Sequence, residues 1–64
     1  MIKLNELLNT VDEVQDTEII ISGVGAVQGE ADVLIGVLNS ETKSLVVSDI
    51  AADEGRLRLW VGEE

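Results

Sequence analysis

The segment RLRLWV, Arg56 to Val61, places Leu57, Leu59 and Val61 on one side of an extended chain and Arg56, Arg58 and Trp60 on the other, because successive side chains of a β-strand point to opposite faces. A strand written this way belongs in a sheet that is packed on one face and open on the other. In a chain of 64 residues there is material for one small core, so the packed face is expected to be covered by a short helix or two rather than by a second sheet.

The remaining segments fit around that strand. Leu4, Leu7, Leu8 and Val11 fall at i, i+3, i+4 and i+7, which predicts one apolar helical face, with Asn5 as the cap and Glu6 favourable in the first turn. DEVQD, Asp12 to Asp16, breaks the pattern, and TEIII, Thr17 to Ile21, then predicts a strand by its β-branched content. SGVGAVQG follows. Here Gly23 and Gly25 can supply the positive φ that a tight reversal requires, and Ala26 to Gln28 return as a short second strand.

ADVLIGVLN reads in two ways. Asp32 can cap a helix whose face is Val33, Leu34, Val37 and Leu38, against which Gly36 costs about 1 kcal/mol; the β-branched residues favour a strand instead. SLVVSDI, Ser44 to Ile50, is a strand joined to Arg56–Val61 by the loop AADEG, with Gly55 left-handed, and a polar tail, GEE, closes the chain. The expected class is α+β in a single domain, residues 1–64: a small antiparallel sheet of about four strands with one or two helices on one face. The element order is αββαββ, or αββββ if Asp32–Leu38 is extended.

Composition bounds what such a domain can do. There is no Cys for a disulfide and no His, so no zinc set of those ligands exists, yet 45% of residues are hydrophobic. So much apolar material in so short a chain predicts a homo-oligomer, in which another copy covers part of it. Thirteen acids stand against four bases for a net charge of −9, and residues 1–42 hold eight of the acids with Lys3 as their only base. That charge repels nucleic acid and anionic membranes and attracts basic protein surfaces; acidity that merely keeps a hydrophobic chain soluble is the competing reading. No apolar run reaches the ~18 residues of a membrane span, and the opening MIKLNELLNT lacks the regions of a signal peptide. A cytoplasmic location is expected.

Chemistry-bearing motifs are sparse. Gly23, Gly25 and Gly29 are spaced G-x-G-x-x-x-G after a strand, whereas a dinucleotide cradle needs G-x-G-x-x-G opening a helix, and a P-loop needs a following Lys that is missing here. The acids Asp12, Glu13, Asp16 and Glu18, and again Asp49, Asp53 and Glu54, lack the spacing of a calcium loop. With no His, Cys or Tyr and no base beside any hydroxyl except carboxylates or Lys43, no catalytic, cofactor-binding or metal-binding residue is assigned, and the chain is expected not to be an enzyme. Trp60, the single aromatic residue, is a partly exposed interface anchor by alternation, or a residue packed under the helix if the alternation is read one position out. Nucleic-acid binding through Trp60 and its neighbouring arginines is disfavoured by the net charge.

The opening MIKLNELLNTVDEVQDTEIIIS, the later VQGEADVL and the closing LVVSDIAADEGRLRLWV resemble short uncharacterised proteins encoded by phages and prophages of Gram-positive bacteria. The resemblance implies a Leu-rich helix before an Asp-rich turn and strand, a closing strand, acidic Gly turn and strand, and a helix starting near GEADVL. It brings no functional residues. The expected function is that of a small acidic accessory protein that binds a basic host surface, such as the nucleic-acid groove of a defence protein, through Asp12, Glu13, Asp16, Glu18 and Trp60. Carboxylates at i and i+2 of a strand, as at Asp16 and Glu18, lie about 6.8 Å apart and roughly imitate a phosphate row. The alternative is an oligomeric scaffold or small-ligand binder whose pocket between subunits is lined by Ile19, Ile21, Val33, Leu34 and Trp60.

Overall fold

The computed structural model describes residues 1–62, so the last two residues of the predicted tail lie outside the described residues. The elements are α1 (Leu4–Leu8), β1 (Asp16–Ile21), β2 (Gly25–Glu30), α2 (Ala31–Val37), α3 (Ser40–Lys43), β3 (Val47–Asp53) and β4 (Arg56–Val61). The strands form one sheet in the order β2-β1-β4-β3. The αββαββ plan holds, with the second helical region split into two short helices. The sheet is mixed rather than antiparallel throughout: β1–β2 and β3–β4 are antiparallel hairpins, and β1 and β4 run parallel at the centre. Two hairpins whose most apolar strands are β1 and β4 bury those strands best by placing them side by side.

One face of that central pair is dry. Leu4 and Leu8 of α1, Ala31 and Leu34 of α2, and Ile19, Leu59 and Val61 of the sheet form a single buried cluster, with Leu7, Val11, Ile21, Ile35, Leu38, Leu45, Val47 and Leu57 packed around it. Helix α1 stops after five residues because its exit competes for helical carbonyls: Asn9 Nδ2 donates to the Asn5 carbonyl and Thr10 Oγ1 to that of Glu6, each at 2.8 Å. The cap is Lys3, whose amide donates to Glu6 Oε1 at 3.0 Å; Asn5, expected to cap, sits inside the first turn.

Residues 31–37 are helical, which resolves the two readings of that segment. The reason is spacing: Ala31, Leu34, Ile35 and Leu38 share one face and all meet the core. That face is rotated from the predicted one, leaving Val33 50% and Val37 68% exposed. The cap is Glu30, and Asp32 falls in the first turn. Strand β3 begins three residues later than predicted because Ser44 and Leu45 close the end of α3, their amides donating to the Ser40 and Thr42 carbonyls at 3.1 Å; α3 itself is capped by Asn39 Oδ1 accepting from the Thr42 amide at 2.8 Å. It also runs on to Asp53 and shortens the loop to Glu54 and Gly55. Among the described residues no helix is long and apolar enough to cross a membrane.

Candidate functional site

The glycine-punctuated segment after β1 is a hairpin turn. Ile21 pairs with Gly25, the Val24 amide donates to the Ile21 carbonyl at 3.0 Å, and Gly23 (φ 78°) and Gly25 (φ 145°) take the left-handed backbone. No helix opens there to receive a phosphate.

The open face of the sheet carries the charge. Its residues alternate with the core residues and stand in three cross-strand rows set by the register. The first row is Glu30, Asp16, Arg56 and Asp53; the second is Gln28, Glu18, Arg58 and Ala51; the third is Ala26, Ile20, Trp60 and Asp49. Trp60 therefore stands on the face away from the helices, outside the core cluster, as the alternation of β4 predicts.

Parallel pairing of β1 and β4 brings two carboxylates against two guanidinium groups. Arg56 Nε donates to Asp16 Oδ2 at 3.1 Å. Arg58 Nε lies 3.2 Å from Glu18 Oε1, but its N–H is misaligned, so the contact is an ion pair without a hydrogen bond and this buried nitrogen has no hydrogen-bond partner. Asp16 and Glu18 share the open face, as expected of the phosphate-like row, and each has an arginine beside it. A cleft of ≈ 150 Å³ lies beside them, lined by Asp16, Asp53, Glu54, Arg56 and Arg58.

Anionic groups also collect at one end of the sheet. The starts of β1 and β4, the end of β2 and the β3–β4 turn all meet there. The loop before β1 is tied to the same end: the Asp32 amide donates to the Glu13 carbonyl at 3.0 Å, the Ala31 amide to the Gln15 carbonyl at 3.1 Å, and Gln15 Nε2 to the Gly55 carbonyl at 2.8 Å. The tip thus carries Asp12, Glu13, Asp16, Glu30, Asp32, Asp53 and Glu54, with Arg56 among them and Arg58 lining the same cleft as Asp16, Asp53 and Glu54. Except for the partly buried Asp16, all these acids are exposed. Among the described residues no group of three or more carboxylates is placed to hold a metal ion, so the tip is a spread surface rather than a chelating cluster.

No family model, curated protein or solved structure matches this chain. The reading of the site therefore rests on its geometry. Of the five residues expected to bind a partner, Asp12, Glu13 and Asp16 belong to the acidic tip, while Glu18 and Trp60 stand in the second and third rows of the open face. Sequence reasoning missed Glu30 and Asp32 as members of the tip, and placed Asp53 and Glu54 only in a rejected calcium loop. The alternation of β4 shows that Arg56 and Arg58 point outward; nothing local shows that β1 lies beside them.

Within the single chain, the residues expected to line a pocket between subunits do not share one surface. Ile19 and Leu34 are 0% and 2% exposed within the core, Val33 faces outward from α2, and Trp60 lies on the opposite side of the sheet. The packing divides these residues between the core, the outer side of α2 and the open face of the sheet. A different cleft, of ≈ 410 Å³, opens at the end remote from the acidic tip, between the β1–β2 turn and α3, lined by Ile21, Ser22, Val24, Asn39, Glu41, Thr42, Leu45 and Gly62.

Proposed function

We propose that this chain is a non-enzymatic binding protein of the cytoplasm, in the manner of a phage accessory protein, whose acidic tip occupies a basic surface on a host nucleic-acid-binding or defence protein. The observation that carries the reading is the convergence of seven acids from three stretches of the chain, Asp12–Asp16, Glu30–Asp32 and Asp53–Glu54, on one end of the sheet, against two arginines, Arg56 and Arg58, in the cleft beside them. Charge that served solubility alone has no reason to be gathered at one pole. A polarised anionic surface steers a basic partner into one orientation and excludes nucleic acid from the same groove.

Glu54 adds support. It occupies the first central position of a two-residue β3–β4 turn with φ 52°, beside Gly55 at φ 81°. Turns of this kind favour Asn, Asp or Gly there, and a left-handed Glu costs about 1 kcal/mol. Strain of that kind is retained where the side chain has a use. Glu54→Gly is accordingly expected to raise the melting temperature while weakening partner binding.

The test is retention of host proteins on immobilised chain across a salt gradient, beside a variant with Asp12, Glu13, Asp32, Asp53 and Glu54 changed to the corresponding amides. Nucleic-acid-binding proteins should be held at low salt, released as salt rises, and absent from the amide variant. Retention indifferent to both salt and the amides would overturn the reading.

A further inference from the structure

The open sheet face has a property that its separate residues do not reveal: it is complementary to itself. Its two central columns are Asp16, Glu18 and Ile20 on β1 and Arg56, Arg58 and Trp60 on β4, in matching register. Consider a two-fold axis lying between these strands and parallel to them. It sets β1 of one copy over β4 of the other, so that Asp16 meets Arg56, Glu18 meets Arg58 and Ile20 meets Trp60, each twice. An axis across the strands would instead stack Glu18 on Glu18 and Arg58 on Arg58. The charges of the two central columns select the first arrangement.

From this we infer that the open face is a homodimer interface, with a second copy of this chain as its occupant and the two-fold axis along the strands. The partner copy sets a second carboxylate over the Arg58 side chain, which is 42% exposed in the single chain. It also covers Trp60 and Ile20, which no helix of their own chain reaches. Four strands at ~4.8 Å spacing and six residues at ~3.3 Å rise give a face of roughly 19 by 20 Å. Two such faces bury on the order of 1,000 Å², at the lower edge of specific interfaces, so the dimer is reversible and concentration-dependent. Stacked sheets cross at about −30°, which separates the corners and keeps the like-charged Glu30 and Asp53 of opposing copies apart.

The arrangement places both acidic tips at the same end, although the inference does not depend on what the tips bind. It is tested on the full chain by sedimentation velocity and Trp emission over one concentration series, since Trp60 is the sole tryptophan. A doubling of mass accompanied by a blue shift of the emission is expected. A mass that stays monomeric throughout, or doubles with unchanged emission, overturns the inference. Two charge variants locate the contact: Asp16→Arg with Glu18→Arg, and Arg56→Glu with Arg58→Glu. Each alone should remain monomeric, and the equimolar mixture should form a heterodimer; dimerisation of either variant alone would assign the contact to another surface. If a variant fails to fold by circular dichroism, the wild-type comparison of mass with emission still decides.

Discussion

Strands β1 and β4 present two faces built from alternate residues of the same twelve positions. Toward the helices stand Thr17, Ile19, Leu59 and Val61, all at 0–1% exposure. Away from them stand Asp16, Glu18, Arg56 and Arg58 in partly exposed ion pairs, with Ile20 and Trp60 beyond. A shift of one residue in either strand would exchange the two sets. The inner face carries the core, and it fixes the register that keeps the outer residues in their rows.

Substitutions on the two faces should therefore separate in kind. Leu59→Ala removes a core side chain 0% exposed and is expected to destabilise by about 2–5 kcal/mol. In a domain this small that is most of the total, so urea titration followed by far-UV circular dichroism should find the variant largely unfolded before denaturant is added. A loss below ~1 kcal/mol would mean that this face is not the core.

A smaller effect probes the polar end of the inner face. Thr17 is fully buried, and its Oγ1 donates to the Gln15 carbonyl at 2.9 Å, the same carbonyl that receives the Ala31 amide. Thr17→Val keeps the shape and deletes the donor, which should destabilise by about 1 kcal/mol in the same titration. The acidic tip should loosen with it, because Gln15 links the loop before β1 to the β3–β4 turn.

The smallest change in stability is expected on the outer face. Asp16→Asn breaks the pair with Arg56, whose side chains are 46% and 34% exposed, and solvent screening holds the effect to a few tenths of a kcal/mol. The same substitution should weaken salt-sensitive partner binding. Equal unfolding midpoints together with unequal binding would sharpen the division between faces, whereas a stability loss comparable with that of Thr17→Val would break it.

How much of this was legible beforehand follows from the range of each interaction. The alternation of RLRLWV, the β-branched TEIII, the glycine turn and the heptad-like leucines each act within a few residues, so strand, turn and helix could be read where they stand. The helical reading of residues 31–37 was only half legible, because Val33 and Ile35 argue for a strand until the core selects the face containing Ala31, Leu34 and Ile35. The ends of β3 were missed for a related reason: Asn39 caps a helix too short to show a period.

The residues by themselves determined an α+β domain with a two-sided sheet, an excess of carboxylates, and an outward Arg56, Arg58 and Trp60. Only the tertiary structure decided which strands are neighbours. Asp16 and Arg56 are forty positions apart, and nothing in either segment specifies parallel contact with the other. That choice is made by the joint burial of Ile19, Leu59 and Val61 under α1 and α2, a property of the whole packed chain. The pairing of the arginines and the gathering of acids at one end are its consequences, since hydrophobic packing sets the register and the polar residues are carried into place with it.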